Sequence, residues 1–246
     1  FNNIGLDATA VGNHDFDLGS NVLAASLAAG SGWVGAQFVS VSTNLVVGPS
    51  SPYYTDPVAS DSALNAIYVD TIDYNVQGGL NAAPTTTEIP EADTLKGKIV
   101  PAAVITEGGE KIGIVGATTQ ILEAISSPSG AEIAGYDGGN GANGEVDDMD
   151  LLAAQLQPVI DEMIAEGVDK IILQSHLQVI GNEIELASKL SGVDIILSAG
   201  SNTRMGDADD EAVNFPGHSA DFAYDYPYLG QDKDGNPILI VNTDNE

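Results

Sequence analysis

Two apolar segments in the second half of the chain each stop at polar residues, and a short helical pattern separates them. The first segment, residues 168–176, reads VDKIILQSH, and the second, residues 192–202, reads GVDIILSAGSN. Between them, NEIELASKL has the apolar spacing of a helix. Strands that alternate with helices form a parallel sheet that is covered on both faces. The pattern therefore predicts an α/β fold.

Polar residues follow three of the predicted strands. Asn13, His14 and Asp15 come directly after a short apolar run that we predict as a buried strand. His176 ends the second strand, and Asn202 lies just past the third. Because ligands of parallel sheets bind beyond the carboxyl ends of the strands, we expect all three groups to face one crevice.

The residue types at these strand ends suit metal and acid–base chemistry. The amide oxygen of Asn13 and the imidazole of His176 are ligands that zinc and divalent transition metals accept. His14 can act as a general acid, and Asp15 beside it can orient its ring. A lone Asn-His-Asp triplet is also typical of a capped turn, but three polar strand ends together favour a functional site.

The charge of the chain limits its partners. Its 246 residues include 36 Asp and Glu against 7 Lys and Arg, for a net charge of -29. Such a surface repels nucleic acid and anionic membranes, so no nucleic-acid partner is expected. The chain has no Cys, which excludes disulfides and thiolate metal sites. No apolar run approaches the ~20 residues of a membrane-spanning helix.

Local patterns predict further elements. A helix capped by Asp17 or Ser20 follows the opening motif. Alternating residues at 38–46 predict one strand. Another helix begins at Asp148, and Pro158 is expected to kink it or mark a restart.

Turn-forming residues divide the remainder of the chain. Residues 98–119 predict two strands joined by a Gly-Gly turn, and an Asp-Gly hairpin turn leads into a strand at 238–241. Residues 48–98 are rich in Pro, Ser, Thr, Asn and Asp, and residues 127–145 are rich in Gly. We predict both as surface insertions, the first with two short strands at most and the second as a loop.

The segments DATAVGNHDFDLG, SHL and GVDIILSAGSNT together resemble the calcineurin-type metallophosphoesterases, in particular the 5'-nucleotidase and 2',3'-cyclic-nucleotide phosphodiesterase branch. GEKIGIVGATT and GNPILIVNTDNE also fall where that branch has strands. The resemblance implies a four-layer α/β/β/α sandwich of mixed sheets. It also implies two divalent metal ions (Zn, Mn, Fe or Ca) between the strand ends and attack of a metal-activated hydroxide on a phosphate ester.

The resemblance also implies roles for individual residues. Asn13 and His176 would ligate the same metal ion. His14 would stabilise the transition state or protonate the leaving oxygen, and Asp15 would hold His14.

The chain departs from the family pattern in two places. The family has an earlier Asp-x-His and an earlier Gly-Asp, and neither precedes Gly12. We interpret residues 1–246 as part of a metallophosphoesterase domain that lacks those strands and any C-terminal nucleotidase domain. The family has Gly-His-x-His where this chain has Gly200-Ser201-Asn202, so both histidines are replaced. Asn202 or His218 is expected to take the place of these lost metal ligands. Arg204 is a candidate for binding the phosphate, with a surface ion pair as the alternative.

Two functions remain open from the sequence. The first is a metal-dependent phosphomonoesterase or 5'-nucleotidase, extracellular or periplasmic, that acts on a small phosphate ester such as a nucleotide. The alternative is a degenerate metallophosphoesterase fold with an extracellular structural role or a role in calcium-dependent assembly.

Overall fold

A computed structural model describes residues 1–47, 63–69, 88–134, 147–214, 216 and 221–242. The helices are α1 (Ser20–Leu27), α2 (Leu122–Ile125), α3 (Met149–Ala165) and α4 (Ile180–Ala187). The strands are β1 (Ala8–Ala10), β2 (Val39–Val41), β3 (Leu45–Val47), β4 (Ile99–Val100), β5 (Ala102–Glu107), β6 (Glu110–Thr118), β7 (Ala131–Ile133), β8 (Ile171–His176), β9 (Ile195–Ala199), β10 (Met205–Gly206), β11 (Tyr224–Asp225), β12 (Tyr228–Gln231) and β13 (Pro237–Asn242).

The larger sheet has six strands in the order β12-β13-β9-β8-β6-β5. Strands β6, β8, β9 and β13 run parallel, and β5 and β12 pair antiparallel at the two edges. The register aligns Thr118 of β6 with His176 of β8, and His176 with Ala199 of β9. The carboxyl ends of three neighbouring strands therefore lie level, as the polar strand ends predict.

The smaller sheet has three parallel strands in the order β1-β2-β4. It packs face to face on the larger sheet through small and branched side chains such as Ala8, Val39 and Ile114. Helices α3 and α4 cover the opposite face of the larger sheet, where Leu156, Ile160 and other buried side chains form the main core. Helix α1 covers the outer face of the smaller sheet. The order of layers is α/β/β/α, so the predicted sandwich is confirmed.

Several local predictions are confirmed. The Gly-Gly turn joins the antiparallel strands β5 and β6, and the Asp-Gly turn joins β12 and β13. Asp148 caps α3 by accepting a hydrogen bond from the backbone nitrogen of Leu151 at 2.9 Å. Helix α3 continues through Pro158 without a restart, because Val159 and Ile160 are fully buried against the sheet and this packing stabilises it.

Other local predictions differ from the structure. The single strand predicted at residues 38–46 is two strands, β2 and β3, because the chain leaves the smaller sheet to pair β3 with β7. The described part of the loop predicted at residues 127–145 contains β7, and residues 135–145 lie outside the described residues. Neither Asp17 nor Ser20 caps α1, whose first turn follows Gly19.

The segment predicted as a surface insertion at residues 48–98 lies partly outside the described residues. Its described parts, residues 63–69 and 88–98, contain short 3₁₀ helices. Leu64, Ile67 and Ile89 in these parts are almost fully buried, so they contribute to the core.

Candidate active site

A tight turn after β1 carries three of the candidate residues. Asn13–Phe16 form a 3₁₀ turn, and the buried ring of Phe16 anchors it in the core. The backbone nitrogen of Gly12 donates a hydrogen bond to Oδ2 of Asp15 at 2.8 Å. Burial raises the pKa of Asp15, and the hydrogen bond from Gly12 opposes that shift. Asp15 therefore holds the backbone of the turn.

The ring of His14 is held by Asp17. Nδ1 of His14 lies 2.7 Å from Oδ2 of Asp17, and both side chains are largely exposed. The other carboxylate oxygen of Asp17 accepts a hydrogen bond from Oγ of Ser126 at 2.9 Å. The hydrogen bond from His14, followed by that from Ser126, lowers the pKa of Asp17. The sequence led us to expect Asp15 in this position, and the structure places Asp17 there instead.

The end of β8 brings His176 to the same place. The ring centroids of His14 and His176 lie 6.3 Å apart, and the ring planes meet at 78°. Gly12 and Gly200 leave room for the His176 ring. A Cβ on Gly12 would lie 2.7 Å from Nδ1, and a Cβ on Gly200, which has a φ of 89°, would lie 2.9 Å from Nε2. Glycine is needed at both positions for the ring to fit.

The imidazole of His176 keeps one nitrogen without a partner. Its Nε2 is buried and makes no hydrogen bond. Burial lowers the pKa of His176, and the neighbouring His14 lowers it further. A neutral imidazole with a buried, unpartnered nitrogen is the form of histidine that coordinates a metal ion.

Asn13 is buried next to the end of β8. Its Oδ1 accepts a hydrogen bond from Nε2 of Gln178, which ties the turn after β1 to the residues that follow His176. Gln178 has a φ of 69°, in the left-handed region that residues other than glycine rarely adopt. Gln178 thus makes this contact from a backbone conformation that is strained for a residue other than glycine.

Asn13 and His176 supply only part of the ligand set that a metal ion needs. Asn13 and His176 provide an amide oxygen and an imidazole nitrogen, and the nitrogen is free to coordinate. Within the described part of the chain, no group of three or more His, Asp or Glu side chains is placed to hold a metal ion. A complete two-metal centre therefore needs ligands beyond the described residues.

Three candidates remain: Asn202 and Arg204, which lie in the described part of the chain, and His218, which does not. Asn202 is exposed, and no hydrogen bond recorded for the described residues joins it to Asn13, His14 or His176. Nη1 of Arg204 donates to the carbonyl oxygen of Val213 at 2.8 Å, and the guanidinium lies 5.7 Å from the ring centroid of Phe222. These contacts hold the Arg204 side chain against Val213 and Phe222.

His218, the third histidine, lies outside the described residues, so its expected role as a ligand stays a prediction.

A cleft of about 1010 Å³ opens beside the two histidines. His14, Asp15 and His176 line part of it, and Trp33 and Phe38 line another part. The cleft therefore combines polar groups with an apolar wall, as sites for small organic molecules do.

Sequence reasoning missed the polar residues that support the site. Oγ1 of Thr118 donates to the carbonyl oxygen of Val11 at 2.8 Å, directly before Gly12. Asn44 brackets Thr118, since it accepts from the backbone nitrogen at 2.9 Å and donates to the backbone oxygen at 2.7 Å. Both side chains are fully buried. Their only signal in the sequence is their position after apolar strands, in STN and GATT.

Known proteins with similar sequences are nucleotidases. The chain is 28% identical over 181 residues to a snake venom 5'-nucleotidase from Naja atra, which covers 74% of this chain and 30% of that protein. It is 28% identical over 156 residues to an NAD 5'-nucleotidase from Haemophilus influenzae, which covers 62% of this chain and 22% of that protein. No protein-family model matches the chain.

A solved structure with the same fold is the 5'-nucleotidase precursor from Thermus thermophilus. The TM-score is 0.60 at 26% sequence identity, and the match covers 97% of this chain and 33% of that one. The chain therefore shares the fold of part of that 5'-nucleotidase precursor. The resemblance predicted from the motifs is confirmed, since these relatives are 5'-nucleotidases and so phosphoric ester hydrolases. The chain spans about a third or less of the length of these relatives.

Proposed function

We propose that this chain is the metallophosphoesterase portion of a phosphoric ester hydrolase of the 5'-nucleotidase type. The observation that carries the proposal is the pairing of His14, oriented by Asp17, with His176 at a ring distance of 6.3 Å beside an open cleft. The 5'-nucleotidase relatives support the same reaction class.

In this proposal His14 is the general acid. Because Nδ1 faces the carboxylate of Asp17, the other ring nitrogen, Nε2, is left for the substrate. His14 protonates the leaving oxygen of the ester as its bond to phosphorus breaks, and water supplies the oxygen that bonds to phosphorus. Asp17 holds the ring in this orientation.

Asn13 and His176 would hold a divalent metal ion on one side. Such an ion, when bound, attracts the phosphoryl oxygens and lowers the pKa of a coordinated water. The cradle formed by Gly12 and Gly200 fixes the direction in which Nε2 of His176 points. The second ion, and the choice among Zn, Mn, Fe and Ca, belong to the proposal and depend on ligands beyond the described residues.

The proposed substrate is a small phosphate ester, with a nucleotide favoured by the names of the relatives. The proposed location is extracellular or periplasmic, supported by a venom relative and by the acidic, Cys-free composition. Among the described residues, no helix is both long enough and apolar enough to cross a membrane. No observation favours calcium-dependent assembly, and we do not propose it.

The test combines metal analysis with turnover on the full-length protein. We expect bound transition-metal ions and hydrolysis of p-nitrophenyl phosphate and of AMP, with turnover lost in His14→Ala while the circular dichroism spectrum is kept. A matched control is Glu107→Gln, at an exposed residue at the end of β5 that does not line the cleft. Absence of hydrolysis with every added divalent metal, or full activity in His14→Ala, would overturn the proposal.

A further inference from the structure

Glu183 is a carboxylic acid with no exposed surface, and the proposed reaction does not use it. It lies in the first turn of α4, on the helical side of the larger sheet. His176 faces the other side of β8, toward Gly12. The sheet therefore separates Glu183 from the cleft, and it can act on the site only through the backbone of β8.

The carboxyl of Glu183 contacts the residues on both sides of His176. Its Oε1 accepts a hydrogen bond from Oγ of Ser175 at 3.1 Å and from the backbone nitrogen of Leu177 at 3.3 Å. Both neighbours are almost fully buried. One oxygen atom thus joins the residue before His176 to the residue after it.

Burying a carboxyl group is unfavourable unless its hydrogen bonds compensate. Here Oε2 makes no hydrogen bond, and burial raises the pKa of Glu183 to about 7. An apolar side chain of similar size would fill the same space without this penalty. What the carboxyl adds over an apolar side chain is an oxygen that accepts hydrogen bonds from Ser175 and Leu177 at the end of β8.

We infer that Glu183 is a positioning residue, whose buried carboxyl fixes the peptide units on both sides of His176 and so sets the position of that ring at the wall of the cleft. The backbone of β8 loses its partners in the sheet after His176, since the ladder to β6 and β9 ends there. Beyond that point, the hydrogen bond from the backbone nitrogen of Leu177 to Glu183 holds the backbone in place of the sheet. The kinetic consequence of this inference rests on the proposed hydrolase function, and the structural part does not.

The primary test measures the NMR signals of the His176 ring nitrogens. With ¹⁵N-labelled histidine in the full-length protein, the ring signals that are lost in His176→Gln are those of His176, one of the three histidines in residues 1–246. We expect Glu183→Leu to move the His176 signals, because no acceptor remains for Ser175 and Leu177. Glu183→Gln keeps an amide oxygen as acceptor and is expected to retain the wild-type signals.

Two more variants separate positioning from general stability. Leu186→Ala removes a fully buried side chain from the same helix and leaves the hydrogen bonds of Glu183 in place. It is expected to lower the melting temperature without moving the His176 signals. Glu183→Asp keeps the carboxyl group but shortens the side chain, so it is expected to move the signals, and it replaces Glu183→Leu if that variant does not fold.

Turnover provides the second readout, on the full-length protein with p-nitrophenyl phosphate. We expect kcat to fall about tenfold in Glu183→Leu and to recover in Glu183→Gln, in line with the loss seen when groups behind a metal ligand are removed. Unmoved His176 signals in folded Glu183→Leu and Glu183→Asp, or equal movement in Leu186→Ala, would overturn the inference. If the wild type does not hydrolyse the ester, the hydrolase proposal fails, and the ring signals still decide the role of Glu183.

Discussion

Asp17 lies one turn of 3₁₀ helix after His14 and places its Oδ2 atom 2.7 Å from Nδ1 of that ring. Ser126 donates to the other carboxylate oxygen, so the carboxylate is fixed from two sides. This arrangement leaves the opposite nitrogen of His14 for a ligand in the cleft.

The first prediction concerns this pair. Asp17→Asn replaces the acceptor with an amide that can donate to Nδ1 and so favours the other ring tautomer. We expect kcat for p-nitrophenyl phosphate to fall roughly tenfold to hundredfold, within the range that a positioned acid contributes. Ser126→Ala is the matched control, since it removes the second partner of Asp17 and keeps the bond to His14, and it is expected to stay near wild-type kcat. Equal kcat in Asp17→Asn and the wild type would refute the assignment.

The second prediction concerns the cradle of His176. In Gly12→Ala the new Cβ would lie 2.7 Å from Nδ1 of His176, so the ring or the turn must move. We expect the free energy of unfolding to fall by about 1 to 3 kcal/mol and hydrolysis to be lost, both measurable by urea titration and a phosphate-release assay. Gly30→Ala is the control, because nothing lies within 4 Å of its Cβ position. A Gly12→Ala protein as active and stable as Gly30→Ala would contradict the prediction.

The positions of the site elements could be predicted from the sequence, because apolar runs that end in polar residues report both a buried strand and its exposed end. The ends of β1, β8 and β9 were located in this way. The partner of His14 could not be predicted in the same way. In an extended chain the neighbour Asp15 is the natural partner, but a 3₁₀ turn brings residues three apart together and so selects Asp17.

The buried polar residues that support the site could not be predicted from the sequence for a different reason. An acidic residue in a short helix is usually solvated, so the sequence gives no sign that Glu183 is buried under β8. Asn44 and Thr118 likewise look like ordinary loop residues until the two sheets bring them together. Contacts between elements distant in the chain depend on the packing of the sheets, which local patterns do not specify.

The third prediction concerns Gln178, which has a φ of 69° and donates to Oδ1 of Asn13. Gln178→Gly relieves the backbone strain and frees this oxygen. We expect the unfolding free energy to change by less than about 1 kcal/mol, because the relief offsets the lost hydrogen bond and the added freedom of the unfolded chain. Zinc binding by the full-length protein is expected to tighten about fivefold, since a hydrogen bond contributes about 1 kcal/mol.

Ser31→Gly is the control for that experiment, because Ser31 also has a positive φ, of 49°, and makes no contact with Asn13 among those recorded for the described residues. It relieves backbone strain without freeing a ligand. Calorimetry should show tighter zinc binding in Gln178→Gly alone. Equal zinc affinity in both variants would mean that Gln178 does not compete for Asn13.

The fourth prediction concerns the pH dependence of stability. Burial raises the pKa of Glu183 to about 7, above the usual 4.5 of a glutamate. Between these two values the folded chain binds more protons than the unfolded chain, so the unfolding free energy decreases as the pH rises. The contribution of Glu183 is fully retained well below pH 4.5 and is lost as the pH rises through about 7. From pH 5 to pH 8 the loss is on the order of 2 kcal/mol.

Glu183→Gln isolates this contribution from the other acidic groups, because its side chain is neutral at every pH and keeps an acceptor oxygen. Urea titrations of the wild type and Glu183→Gln at pH 5 and pH 8 should show the variant gaining stability relative to the wild type at the higher pH. Glu185→Gln, at an exposed position of the same helix, is the matched control and should show no such gain. A pH-independent difference between the wild type and Glu183→Gln would mean that the carboxyl is already ionised in the folded chain at pH 5.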